Sequence, residues 1–282
     1  MALTHSPRLH PLKQVGFTLI EMVTVILILG ILVVGVSSFV IFGTRIFVES
    51  SSVDQVLSQS RYGIERMTRD LRNAVPNSLR LTTDSSGLYQ CIEFVPILAS
   101  SSYITAPIAP QPTATSMTVF NGASSVAGGD QVLLYPLTEA EVYNPSGTTA
   151  KRFSVQSSAV AGDELTINFA SRIRFSEDSP LKRIYFAQQP ISYCFVRGAL
   201  AEQADLKIYQ NYGYQTSQPT PASMGSGQLL AQNVTNTFSI EPAIILTPSN
   251  LVTNALVHVQ PRFSVNGETF QYQHQVQVIN VP

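Results

Sequence analysis

The sequence predicts an α+β fold: a long N-terminal helix packed on a mainly antiparallel β head. Three observations predict it. An unbroken apolar run lies near the start, a helical period continues beyond it, and short β-branched or aromatic segments separated by turn residues fill the chain from residue 76 onward.

Residues 1–16 (MALTHSPRLHPLKQVG) are polar, with Arg8 and Lys13 and no acidic residue. The 28 residues from Phe17 to Thr44 follow, in which Glu21 is the only charge. As a helix they span about 42 Å, enough to cross a hydrocarbon core of about 30 Å. Basic residues before the run, with Glu49 and Asp54 after it, orient it N-terminus inside and head outside. A cleaved secretory signal fits poorly, because the run is too long and no A-x-A-like site closes it. Glu21 is the informative residue. A carboxylate inside a membrane helix costs about 2.5–3.5 kcal/mol on insertion scales unless something neutralises it, so a functional partner is the default expectation.

The string Gly16-Phe17-Thr18-Leu19-Ile20-Glu21 resembles the type III signal of type IV prepilins and type II secretion pseudopilins. The resemblance implies that a prepilin peptidase cuts after Gly16 and methylates the new Phe17 amine. It also implies that Glu21 neutralises that amine during filament assembly. Other minor and major pilins, the inner-membrane assembly platform and membrane lipid are the further partners implied. Cleavage on the cytosolic side would leave the helix in the membrane, so the product is a filament subunit. The physics agrees. A new amine at a helix N-terminus is a cation where the macrodipole disfavours one, and a carboxylate one turn away, or on a neighbour, offsets that cost. Many major pilins carry a proline in this segment, where this chain has Ser37-Ser38.

Beyond Thr44 the helical period persists. Val53, Leu57, Ile64, Met67 and Leu71 fall on one face, and Glu65–Arg69 and Arg66–Asp70 offer i,i+4 pairs. Pro76 ends the element near Val75. Gly30, Gly35, Gly43 and Gly63 are its weak points, each costing about 1 kcal/mol in a soluble helix. The expected organisation is a leader (1–16), a membrane and assembly helix (17–44), its amphipathic continuation (45–75) and a periplasmic or extracellular head (76–282).

Strands are expected in the head at Leu88–Val95, Ser116–Asn121, Gln131–Leu137, Glu164–Ala170, Arg183–Phe186, Ile191–Arg197, Leu206–Tyr209, Thr237–Glu241, Leu256–Phe263 and Thr269–Val281. Asn266-Gly267 is the cleanest hairpin signal. Residues 99–115 and 215–227, rich in Pro, Ser, Thr and Gly, read as surface loops.

Of all residues 12% are charged and 44% hydrophobic, and the formal net charge is -1, which argues against a dedicated nucleic-acid surface. Cys91 and Cys194 both follow the apolar run and would be exported. Two cysteines in an oxidising compartment read as one disulfide, the alternative being two unpaired buried thiols. No catalytic constellation, Walker sequence, dinucleotide fingerprint or calcium loop is present. His258 and His274 read as polar strand residues, and Asp163-Glu164 and Glu177-Asp178 as solvated turn acids. No enzyme activity, cofactor or metal is expected.

The blocks RYGIERMTRDLRNAVPNSLRL (61–81), CIEFVPI (91–97), PISYCF (190–195) and LLAQNVTNTFSIEP (229–242) resemble the large minor pilins of the J/W type, nearest to those of MSHA pili. That resemblance implies an inner-membrane subunit that starts a type IV pilus in a priming or tip complex. A type II secretion pseudopilin of the J class and a pilus-tip adhesin are the alternatives.

Overall fold

The computed structural model describes residues 16–122, 126–198, 202–249 and 253–278. The basic leader before Gly16 and the end of the predicted C-terminal strand lie outside them. The chain divides into two compact units, residues 1–52 and 53–282. One helix, α1 (Leu19–Arg72), contributes to both. In the first unit its apolar side chains are exposed all round, from Leu19 to Val48. That part of the helix is long and apolar enough to cross a membrane.

The second unit is a β-rich head built on the last turns of α1. In chain order its first strands are β1 (Arg80–Thr83), β2 (Tyr89–Phe94), β3 (Ile97–Thr105), β4 (Ala114–Phe120) and β5 (Gln131–Leu133). After a short helix α2 (Glu139–Tyr143) come β6 (Thr149–Ala150), β7 (Arg152–Ser154), β8 (Ser157–Ala161), β9 (Glu164–Phe175) and β10 (Arg183–Ala187). Then follow β11 (Ile191–Arg197), β12 (Ala204–Tyr209), β13 (Gln228–Val234) and β14 (Ile244–Thr247). The last are β15 (Ala255–Val259), β16 (Arg262–Val265), β17 (Glu268–Gln271) and β18 (His274–Val278).

These strands form three sheets. A seven-stranded sheet has the order β1-β2-β11-β12-β13-β16-β17, and a three-stranded sheet the order β14-β15-β18. The third, of eight strands, takes every strand from β3 to β10 and no other. It is therefore an excursion of the chain between β2 and β11, which are hydrogen-bonded neighbours: Phe94 lies opposite Ile191, where the excursion leaves and returns. Pairing is antiparallel between all named strands except β6 and β9.

Two main cores follow from this arrangement. In the first, Ile64, Met67 and Leu71 of α1 pack on Ile92, Tyr193 and Leu206 of the large sheet and on Val257 and Val276 of the small one. Period-2 alternation selects those side chains: Ile92, Phe94, Tyr193 and Phe195 face the helix, while Cys91 and Cys194 belong to a separate cluster on the opposite face. Gly63 lets the helix come close, since a Cβ there would lie 3.3 Å from Leu206 Cδ2 and 3.4 Å from Leu230 Cβ. The Gln90 amide joins the two sheets as a backbone unit would, accepting from Ile244 N and donating to Ile244 O. The second core lies within the eight-stranded sheet, which curls so that Phe153 of β7 meets Phe169 and Phe175 of β9, ring centroids 6.3 Å and 5.2 Å apart.

Several expectations need correction. Helix α1 closes at Arg72 instead of near Val75, because the next residues turn to pair with the start of the excursion. Asn73 donates to Ile97 O at 2.7 Å, and Val75 N to Val95 O at 2.8 Å. Neither helix ion pair forms: Asp70 accepts from the Tyr193 hydroxyl at 2.5 Å, and Arg66 turns to Tyr62. Residues 99–105 are not loop but most of β3, whose serines pair with β10 while Ala99 and Tyr103 turn into the core. Thr237–Glu241 is a turn and not a strand. Buried Asn236 fixes it, donating to Glu241 O and Gln260 O and accepting from Arg262 N. The expected strand Leu256–Phe263 breaks at Gln260-Pro261, since proline cannot continue the ladder, and Thr269–Val281 breaks at Tyr272-Gln273. The Asn266-Gly267 hairpin is present, with φ of 51° and 85° as a type I′ turn requires.

Candidate processing and assembly site

The residues expected to carry processing and assembly stand at the start of α1. The first helical residue is Leu19, and the Thr18 hydroxyl accepts from Glu21 N at 3.4 Å. Thr18 is thus the N-cap and Glu21 the third helical residue, an S/T-x-x-E pattern legible in the sequence but not used in its reading. Thr18 O also accepts from the Glu21 and Met22 amides, at 3.1 Å and 3.2 Å. The cap fixes the turn that carries the carboxylate and sets it where the helix dipole favours an anion.

Phe17 lies just outside the helix and is 77% exposed, and Gly16 before it is exposed as well. Gly16 has nothing within 4 Å of where a Cβ would stand. Among the described residues, therefore, no neighbour demands glycine at this position. Beyond the cap the side chains around Glu21 are exposed and apolar except Thr24, whose hydroxyl donates to Glu21 O at 3.0 Å, and no ion pair to Glu21 is formed among the described residues. The site is a single carboxylate on a lipid-compatible helix, one turn from the exposed Gly16-Phe17 peptide.

The other sequence-selected residues lie in the head. Cys91 and Cys194 are cross-strand partners on β2 and β11, with their sulfurs at the disulfide separation of 2.10 Å across 103 residues of chain. Their Cα atoms are 4.1 Å apart, a close approach of directly opposed residues in an antiparallel pair. Both are wholly buried. His258 and His274 sit on adjacent strands, but His258 lies opposite Gln275 and His274 opposite Val259, so alternation sends the two rings to opposite faces. Among the described residues no group of three or more His, Cys, Asp or Glu is placed to hold a metal.

The sequence reading missed a polar cluster beneath residues 215–227. Arg80 and Glu93 form a buried ion pair, Nε to Oε2 at 2.7 Å, and the guanidinium stacks 3.7 Å from the Tyr143 ring centroid. Burial raises the Glu93 carboxyl above its ordinary range, and Arg80 offsets this only in part. Burial works against the Arg80 cation too, but the hydrogen bond and charge of Glu93 outweigh it and raise its pKa. Arg80 also donates to Gln215 O and Thr216 O, each at 3.0 Å, so the expected loop is tied to the sheet. Single arginines and glutamates at strand spacing give no warning of such a pairing. A short helix was missed as well: Thr138 and Glu141 make a complete capping box for α2.

Residues 13–37 match the family model of the prokaryotic N-terminal methylation motif. The match takes in Gly16, Phe17, the cap and Glu21, and it marks the chain as type IV pilin-like at its N-terminus. That motif implies processing by a prepilin peptidase and assembly with other pilins, and its bearers are structural subunits. The apolar helix is compatible with the single membrane anchor of such a subunit. Neither a curated protein nor a solved structure matches the chain.

Proposed function

We propose that this chain is a minor pilin that takes part in starting and assembling a type IV pilus of the MSHA kind, in a priming or tip complex. The observation that carries the reading is the methylation motif at residues 13–37, set at the head of an exposed apolar helix. The size of the head and the four sequence blocks that resemble J/W-type minor pilins, MshO above all, favour the minor class. In this reading residues 1–16 are a leader removed by prepilin peptidase, and the Phe17 amine is methylated. Residues 17–44 anchor the subunit in the bacterial inner membrane, N-terminus inside, among lipid, other pilins and the assembly platform. Glu21 serves as counter-ion to a Phe17 amine, its own or a neighbour's. Residues 76–282 form the exported head, closed by a Cys91–Cys194 disulfide. No catalysis is assigned.

Intact-mass analysis tests the processing step: the mature chain should begin at Phe17 with one added methyl group, and a retained leader beside an active prepilin peptidase would refute it. Crosslinking of the membrane complex tests the assignment. Recovery with pilus-priming pilins is expected, whereas recovery with secretion-system components would make the chain a J-class pseudopilin.

A further inference from the structure

The face of the seven-stranded sheet opposite α1 carries Thr82, Cys91, Glu93, Ser192 and Cys194, and residues 210–227 cross over it as a strap. The strap is fastened at separate points and not by a ladder. The Tyr212 hydroxyl pairs with Ser192 Oγ at 2.7 Å, and Arg80 holds the carbonyls of residues 215 and 216. Gln218 donates to Cys91 O at 3.0 Å and accepts from Thr82 Oγ1 at 2.7 Å. Met224 and Tyr209 share one buried cluster with the two cysteines. At the end of the strap Gly227 lies so close to Tyr209 that a Cβ would stand 2.6 Å from the ring. Both cysteines are 0% exposed, shut in by the sheet on one side and the strap on the other.

We propose that the strap is a gate on the Cys91–Cys194 bond: thiol chemistry reaches the sulfurs only when residues 210–227 lift, and the strap closes fully only over the bonded pair. This rests on the reading that the pair is bonded in the exported protein. Exchange requires a thiolate in contact with a disulfide sulfur. The sheet cannot open a path without losing its ladder, but a strap held at a few points opens locally at lower free energy than global unfolding. In the forward direction the two cysteine thiols lose two electrons and two protons to the disulfide of a thiol oxidase, which leaves as a dithiol. That step falls in the strap-open intermediate. Unbonded sulfurs keep a van der Waals separation wider than a covalent bond and so need more room in the buried cluster they share with Met224, which makes oxidation favour closure.

The test uses the full chain in detergent micelles with an excess of a small dithiol in native buffer, following bond loss by alkylation and mass spectrometry. Met224→Ala and Gln218→Ala alter the strap and leave the sheet ladder intact. Each should speed reduction about tenfold by making local opening easier, with the global unfolding rate kept at the wild-type value. Equal reduction rates in all three proteins, or rates equal to global unfolding in each, would overturn the gate. Two free thiols in the freshly exported protein would overturn the disulfide reading and the gate with it. A bonded pair indifferent to both substitutions would overturn the gate alone.

Discussion

Glu21 is a carboxylate held by a capped helical turn among exposed apolar side chains, and two consequences of removing it run in opposite directions. Glu21→Ala should ease membrane insertion, by less than the figure of about 2.5–3.5 kcal/mol that a charge at a helix centre costs, since the residue sits in the first turn. If the residue is a counter-ion, the same change strands a Phe17 amine in lipid, and leaving one member of a desolvated pair unmatched costs about 3–5 kcal/mol. The expected outcome is normal membrane level and cleavage, with reduced co-purification of partner pilins and fewer surface pili. Wild-type recovery of both would show that Glu21 has no assembly role. Glu93 makes a different prediction, because burial raises its carboxyl pKa while Arg80 pulls only partly against that rise. A raised folded-state pKa means that the group's contribution to stability is complete below the unfolded-state value. It is lost as pH climbs through the folded-state value, the reverse of the usual carboxylate trend. Glu93→Gln removes this titration. Urea unfolding at about pH 4 and about pH 8 should therefore show the wild type's advantage over the variant larger in acid. An advantage that grows with pH would contradict the assignment.

Helix α1 behaves differently along its length, and glycine shows where. At Gly30 nothing lies within 4 Å of a prospective Cβ, whereas at Gly63 the side chains of Leu206, Leu230 and Ala231 stand within 3.5 Å. Gly63→Leu should push α1 off β12 and β13 and lower head stability by about 1–3 kcal/mol or more, while Gly30→Leu should leave it unchanged. Thermal unfolding of the two variants in the same detergent checks both. The sequence marked Gly63 only as a weak point, since propensity says nothing of what approaches a residue from 140 positions away. What was legible had local causes: the apolar run, the cap and signal around Glu21, the Asn266-Gly267 turn, and strands with clear alternation such as β2 and β11. What was not legible depended on partners distant in the chain. β3 reads as a serine-rich loop until β10 supplies its hydrogen bonds, and Thr237–Glu241 has strand-like residues that Asn236 bends into a turn. Count and compartment point to Cys91 and Cys194 as a pair, but their direct opposition across two strands cannot be read from spacing.

For the molecule as a whole, the link between β2 and β11 closes a loop of 103 residues. Chain-entropy reasoning puts the stabilisation of such a bond near 4.7 kcal/mol, an upper figure for real proteins. The double substitution Cys91→Ala/Cys194→Ala should lower head stability by about 2–4 kcal/mol in denaturant melts, with the helical circular dichroism signal kept. A midpoint equal to wild type would show that the β ladder alone holds the junction. That junction is the neck of the excursion that forms the eight-stranded sheet, which leaves after Phe94 and returns at Ile191, directly opposite. A region with its own core, whose two ends lie side by side, can change in length or content without disturbing the sheet it departs from. The excursion touches the rest of the head through Ile97, Leu133 and Tyr143, so evolution can lengthen, shorten or exchange the parts of residues 97–187 beyond those contacts almost as a cassette. In related chains, insertions and divergence should gather there, and the strands that pack on α1 should keep their lengths.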